Sequence, residues 1–439
     1  MKVSLFLELP LPKPWDEGAE RRMFEQSLDL AELADQLGFH AVWVTEHHFL
    51  EEYSHASAPE VFLGAVSQRT KELRLGHGIM HTPPAVNHPA RVAERISTLD
   101  IISGGRVEFG TGESSTVGEL EGFQLDPGAK REQWDEGLRV ALRCMVESPF
   151  TGFEGKHVSM PPRNVIPKPV QKPHPPVWVA CTRHATVQMA AERGLGALSF
   201  SFVGPDTLAE RVREYYSIFE DRCVPMGYTA NPNMLALAGD MPLMCAPTEE
   251  QAISRLGVSG GFFGYTAVYY YNSTFGLHKP GQGNLWEQYL SEVEKDPSVA
   301  YGPSRGAVGT PEFVSEWFQK YEESGVDELM CLISPHEHEA TMESLQLVGE
   351  KVLPEFLERD EATTKAKGRR LEPAIERAMA RRVDDSPPFD PSYEFGGIPQ
   401  SKSGVLADEA LIAHQEVAEG RKAMAERAAA LERLGRDPS

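Results

Sequence analysis

The chain is poor in cysteine, short of positive charge and without any apolar run of membrane-spanning length, and each shortage removes a class of protein. Its five cysteines, Cys144, Cys181, Cys223, Cys245 and Cys331, are odd in number, widely spaced and mostly set among apolar neighbours. They read as reduced thiols of a cytoplasmic protein and not as a disulfide frame. Only 43 basic residues face 65 acidic ones, and the resulting formal charge of −22 repels polyanions, so no nucleic acid partner is expected. No segment approaches the roughly 20 apolar residues of a membrane helix. The start, Met1 to Glu8, is too short an apolar run for a signal peptide and has no small-residue cleavage site behind it, so no membrane association is expected.

What is present suits a globular α/β protein. Of the 439 residues 41% are hydrophobic and 25% charged, enough for a sizeable core. The length allows several average domains or one large barrel with insertions.

Short apolar or β-branched runs alternate with helical patterns along the chain, which is the signature of parallel βα units. The runs fall at 2–9, 41–46, 73–79, 106–111, 177–181, 196–200, 236–245 and 328–334. Between them, Leu30, Leu33 and Leu37 mark a helical face that stops at Gly38, a left-handed cap position. A helix is expected from Pro59 to Arg69. The clearest helix begins at Pro89, capped by Asn87 or His88, shows Val92, Ile96 and Leu99 on one face, and ends at Gly104-Gly105. Further helices are expected over 130–147 and near 185–193, 206–223, 248–256 and 338–355. Eight strands with eight helices predict a closed (β/α)8 TIM barrel with insertions and a C-terminal helical extension. The alternative is an open doubly wound sheet, but Gly110-Thr111-Gly112 lacks the rest of a dinucleotide fingerprint.

Two stretches interrupt the repeat. Residues 148–176 hold a short hairpin pattern and then Pro161, Pro162, Pro167, Pro169, Pro173, Pro175 and Pro176, an extended excursion before strand five. Residues 257–309 are rich in Gly and Tyr, and their aromatic content predicts a lid over the barrel mouth. The barrel is expected to occupy 1–357 and a polar extension 358–439, either solvated or wrapped on another subunit.

In a β/α barrel, chemistry sits where strands end. The segment Val42-Trp43-Val44-Thr45-Glu46-His47-His48-Phe49 runs from an apolar strand straight into titratable side chains. Other strand ends offer Glu8; His77, Gly78 and His81; Thr111, Gly112 and Glu113; Cys181, Thr182 and Arg183; Ser199 and Ser201; Ser334 and His336. Adjacent His47 and His48 point to opposite faces of an extended chain and cannot share one ion, so no metal is expected. From the residues alone His47 is either a strand-end histidine that hydrogen-bonds a neighbouring loop or a catalytic one, and His48, on the opposite face, is expected to be structural.

The run Glu46-His47-His48-Phe49, the segment 69–76, His88-Pro89, and Leu99-Asp100 through Gly104-Gly105-Arg106 to Gly110-Thr111-Gly112 together resemble the bacterial luciferase-like flavin monooxygenases. The likeness returns at 177–180 and at Gly309-Thr310-Pro311-Glu312, and covers the barrel but not the tail. It implies a barrel that takes reduced FMN, or in a related branch a deazaflavin, at its C-terminal mouth. By resemblance His47 is the catalytic histidine, acting as a general base or as a stabiliser of the oxygen-activating flavin. Gly78-Ile79 falls where the family has a non-proline cis peptide under the flavin ring, and Thr182 and Arg183 fall in the loop that holds the flavin phosphate. Glu8, Thr111, Gly112 and Ala180 complete the expected cofactor contacts. One departure is Glu113, which stands where luciferase has a phosphate-binding arginine. A separate flavin reductase is implied, because no second nucleotide motif is visible, and a homodimer is expected by resemblance.

Three functions remain open on this reading. The first is a two-component FMN monooxygenase acting on a small organic substrate. The second is a deazaflavin-dependent hydride-transfer enzyme on the same barrel, disfavoured by Glu46 where that branch commonly has aspartate. The third is a flavin-binding barrel without turnover.

Overall fold

The fold follows from one parity rule. Successive strand residues point to opposite faces, and all barrel-strand residues except Lys2, Arg74 and Ala180 are buried, as parallel strands between a barrel interior and a helix shell require. A computed structural model describes residues 1–200, 204–239, 242–271, 279–301, 306–334, 337–395 and 417–427, together with 429 and 433. Eight strands close into a parallel barrel: β1 (Lys2–Leu7), β2 (Ala41–Val44), β3 (Arg74–His77), β4 (Val107–Thr111), β5 (Val177–Cys181), β6 (Gly196–Ser199), β7 (Met234–Leu237) and β8 (Glu328–Ile333). Each pairs with its sequence neighbours, and β1 closes the ring against β8 with Leu5 opposite Cys331. The expected TIM barrel is therefore what forms.

Parity splits the core in two. Leu5, Leu7, Val42, Val44, Phe109 and Val179 join the large cluster under the helices. Phe6, Trp43, Trp178, Leu198, Leu235, Met330 and Leu332 form the interior. Two indoles fill the barrel's centre, Trp43 and Trp178, edge to face at 5.5 Å. They fit because Gly76 and Gly196 stand beside them; a Cβ at either glycine would overlap the neighbouring indole. Below them, Trp43 Nε1 donates to Glu328 at 2.8 Å and Trp178 Nε1 to Glu108 at 2.7 Å, with Ser4 Oγ on Glu328 and Arg74 on Glu108.

Most helices lie close to expectation: α1 (Ala19–Leu37) capped by Gly38 at φ 83, α2 (Pro59–Arg69), α3 (Pro89–Ile102) with His88 as its side-chain cap, then an unexpected short α4 (Val117–Gly122), and α5 (Lys130–Val146), α6 (His184–Glu192), α7 (Pro205–Arg222) and α8 (Glu249–Leu256). The 257–309 insertion carries the helices α9 (Phe262–Tyr271) and α10 (Leu285–Lys295). α11 (Pro311–Glu323), α12 (His338–Lys351) and α13 (Leu353–Arg381) follow. The hairpin in 148–176 forms between Phe153–Glu154 and Ser159–Met160.

Two expectations shift. The run 236–245 is not one strand: β7 ends at Leu237, and Met244–Cys245 pairs instead with Val308–Gly309 outside the barrel. The polar extension does not begin at 358. α13 buries a narrow stripe, Leu371, Ala374 and Ala378, at spacings too sparse to raise its overall apolar content, and Lys367 pairs with Asp327 at 2.6 Å. The chain to Pro387 thus forms one compact unit, and 388–439 forms a second, whose described helical stretch at 417–427 is exposed. Ser201 and His336 lie outside the described residues.

Candidate active site

β2 stops at Val44 and the chain leaves it without regular structure, which frees Glu46, His47 and His48 to turn in different directions. His47 turns into the barrel mouth. Its Nδ1 lies 3.0 Å from Glu119 Oε1 and its Nε2 3.0 Å from Glu8 Oε1, with all three side chains buried. An imidazole facing a carboxylate at each nitrogen carries a proton on both, because neither oxygen can donate when ionised. Burial opposes that charge, yet Tyr271, Glu8 and Glu119 outweigh it and hold the His47 pKa well above its ordinary value.

Glu119 was not expected. It sits at the third position of α4, behind the N-cap Thr116, in the Thr-x-x-Glu spacing of a capping box. Thr116 Oγ1 donates to it at 2.7 Å, Ser114 Oγ at 3.0 Å and the His48 backbone N–H at 3.1 Å. Burial pushes its pKa up, but His47 and these donors dominate and keep it ionised far into acid. Glu8 extends the inward row of β1 beyond Ser4 and Phe6. It is 1% exposed and held between His47 Nε2 and the phenol of Tyr53, which hydrogen-bonds to it and is raised well above its usual pKa by burial, Glu8 and Tyr271.

His48 turns the other way, as the pleat argument requires. Its Nε2 lies 3.0 Å from Glu46, whose carboxylate also accepts from the His81 backbone N–H at 2.7 Å and from Asn87 Nδ2 at 2.9 Å. Glu46, His48 and His81 bring one possible ligand atom each within 4.8 Å of one another, a grouping that sequence spacing did not suggest. Glu46 is engaged by three donors there, so the cluster as built is a hydrogen-bonded brace. His77 faces away from the mouth, buried and held neutral by desolvation at a pKa of about 4.

Glu8, His47, Tyr53, His81 and Glu119 line a cavity of about 640 Å³, within the range of a cofactor and small-molecule site. Of the expected contacts Glu8, His47, Ile79, Gly112, Ala180, Thr182 and Arg183 line it. Gly78 and Thr111 do not. Thr111 lies on the outward parity of β4 with Phe109, and its hydroxyl is taken by the Trp178 carbonyl at 2.9 Å and by Trp134 Nε1 at 3.2 Å. The Gly78–Ile79 peptide is trans; every cis bond among the described residues precedes a proline. Ile79 still packs tightly on Gly112, where an added Cβ would come within 2.6 Å of it.

The far end of the cavity is cationic. Lys130 and Arg131, at the start of α5, join Arg183 there, and burial and the two arginines lower the Lys130 pKa while Glu113 opposes them. Glu113 explains itself in this setting: Arg131 donates to it at 3.1 Å and Lys130 lies at 3.8 Å. It is the counter-ion of these two cations. No side chain caps the N-terminus of α6 next to Arg183. α9 lines another side, with Phe263 stacked on Tyr53 at 5.6 Å and Ala267, Val268 and Tyr271 along the wall. Phe262 and Tyr265 pack within the insertion against Tyr289.

The sequence profile of luciferase-like monooxygenases matches residues 2–328. The chain belongs to that family. An uncharacterised protein of Sinorhizobium fredii is 35% identical over 201 residues, which is 46% of this chain and 57% of the relative. The oxygenase component of a flavin-dependent trigonelline monooxygenase from Acinetobacter baylyi is 25% identical over 82% of this chain and 96% of its own. Among solved structures, monooxygenase RslO1 from Streptomyces bottropensis superposes with a TM-score of 0.64 at 25% identity, covering 81% of this chain and all of its own. The luciferase-like chain is thus an oxidoreductase of the flavin-dependent monooxygenase class.

Proposed function

We propose that this luciferase-like protein binds reduced FMN in the 640 Å³ cavity and uses O2 to oxygenate a small organic substrate, with reduced flavin delivered by a separate reductase. The observation that carries the reading is the polarity of the cavity: a cationic end at Lys130, Arg131 and Arg183, and a protonated histidine at the other. The cationic end fits a phosphate, because Arg183 offers parallel N–H groups and the uncapped start of α6 offers backbone donors. Ile79, Gly112 and Ala180 form the wall for a flat ring. Bound reduced FMN supplies the electrons and the site at which O2 is activated.

This chain's own residues then have separable tasks. His47, held as an imidazolium between Glu8 and Glu119, stabilises negative charge near the reacting centre through its own charge; its surroundings do not suit it to abstract a proton. Glu119 fixes the ring and keeps it charged. The α9 lid, through Phe263, Val268 and Tyr271, keeps water out. A reductase partner is supported by the A. baylyi relative, which is named as an oxygenase component. Exposed Val61 on α2 and Ile101 and Ile102 on α3 support a homodimer. No helix among the described residues is long and apolar enough to cross a membrane.

The test combines equilibrium binding with a rapid-mixing measurement. FMN is expected to bind at least about tenfold more tightly than riboflavin, which lacks the phosphate. Reduced FMN mixed with the protein and then O2 should show a transient flavin absorbance absent from free flavin, shortened in His47→Ala. Tight deazaflavin binding with no FMN affinity, or no such transient with wild-type protein, would overturn the reading.

A further inference from the structure

Among the described residues, Glu46, His48 and His81 are the side chains that come close enough to share a metal ion, with one possible ligand atom from each within 4.8 Å of the others. The pleat keeps adjacent His47 and His48 off a single ion. It does not keep His48 from a residue that the barrel brings in from the chain after β3. His81 is 1% exposed, lines the cavity, and among the described residues its Nδ1 meets no hydrogen-bond partner. A buried ring nitrogen without a partner is a costly feature unless something else takes it. The spacing suits an ion as well. Ligand atoms about 2.1 Å from a tetrahedral zinc stand about 3.4 Å apart, and His48 Nε2 and Glu46 Oε1 are already 3.0 Å apart. From a separation of at most 4.8 Å, the His81 ring has to close by no more than about 1.4 Å.

Two features around the three residues point the same way. Asn87 Nδ2 donates to Glu46 Oε1 and to the His81 carbonyl, each at 2.9 Å, and Arg95 donates to Asn87 Oδ1 at 2.6 Å. Such outer partners orient the ligands of a metal site. Charge is the second feature, since this corner of the mouth gathers three buried acids, Glu8, Glu46 and Glu119, around one imidazolium. Buried negative charge calls for a cation.

We propose that Glu46, His48 and His81 bind a divalent transition-metal ion of the zinc type, which ties the chain after β2 to the chain after β3 and so steadies His47 beside it. Two imidazoles and one carboxylate are a donor set that zinc takes, with water in the fourth position. On binding, His48 exchanges its hydrogen bond to Glu46 for a bond from its ring lone pair to the ion, its ring proton resting on the other nitrogen. Glu46 keeps its bonds from Asn87 and the His81 backbone N–H. The proposal does not depend on what the cavity binds.

The test is calorimetric titration of zinc chloride into the full chain, stripped of metal with a chelator and free of flavin. One ion per chain is expected to bind with a Kd of about 1 μM or tighter, and His48→Gln and His81→Gln are each expected to weaken it about 100-fold. Asn87→Ala, which frees Glu46, should weaken it about tenfold. No binding tighter than about 100 μM, or an affinity unchanged in either histidine variant, would overturn the proposal. X-ray absorption of the zinc-loaded wild-type chain decides where a variant does not fold: two imidazoles and oxygen at about 2.0–2.2 Å support the site, whereas a sulfur ligand or any other number of imidazoles sinks it. Failure of FMN to bind would leave these results untouched.

Discussion

At the floor of the barrel Glu328 and Glu108 each receive an indole N–H, from Trp43 and Trp178, whereas at the mouth Glu8 and Glu119 face the two nitrogens of one imidazole. The residue type is the same and the burial is similar, but the outcome for the proton differs. Burial pushes Glu328 up to about 7, and the neutral donors Ser4 and Trp43 only partly counter it. Glu119, equally removed from water, stays ionised because its partner is a cation. A neutral donor satisfies a carboxyl group; a charged one fixes its ionisation. The floor is therefore closed off within the protein and serves stability, while the mouth gathers charge around one imidazole on the wall of the cavity.

That contrast can be broken most strongly at the floor. Trp43→Ala removes a fully buried indole and a donor to Glu328, and is expected to cost about 3–5 kcal/mol in denaturant unfolding. A cost below about 1 kcal/mol would show that the two indoles do not organise the interior. Next in size is the pH response. The folded pKa of Glu328, about 7, lies above the ordinary 4.5, so the unfolded chain loses this proton first as pH rises. Stability from this group is therefore full below about pH 4.5, falls by roughly 3 kcal/mol up to about pH 7 and stays level beyond. In Glu328→Gln that decline should disappear from melting curves taken at pH 4.5, 6 and 8; an unchanged decline would place the titration elsewhere. The smallest effect is at the cationic end of the cavity. Arg183→Ala should weaken FMN by about tenfold and leave riboflavin nearly unaffected, so that isothermal titration of both flavins with equal losses would remove Arg183 from phosphate binding.

Much of the barrel was legible because its signals are local. The strand runs, the Pro89 helix start and the Gly38 stop each depend on a few adjacent residues, and apart from the run 236–245 they appear where expected. His47 was legible for the same reason, since a charged cluster at the end of an apolar strand marks a barrel mouth. Glu119 was not, because it meets His47 from 72 residues away, on a six-residue helix whose capping-box spacing was the one available hint. Lys130 and Arg131 belong to the start of a helix, and only the closed barrel brings them to Glu113. Thr111 was misplaced by counting strand ends without following the pleat inward and outward. α13 hid in a polar composition because its buried stripe is only one residue wide at each turn.

The close fit of glycine against indole at the barrel's centre has a consequence for variation at these sites. Gly76 and Trp43, and likewise Gly196 and Trp178, divide one fixed volume between neighbouring strands, so neither member of a pair can grow unless the other shrinks. Each pair behaves as a single heritable character. In a library randomised at all four positions, folded clones should carry correlated exchanges of small for large across β2 and β3 or across β5 and β6, and independent substitutions should be rare.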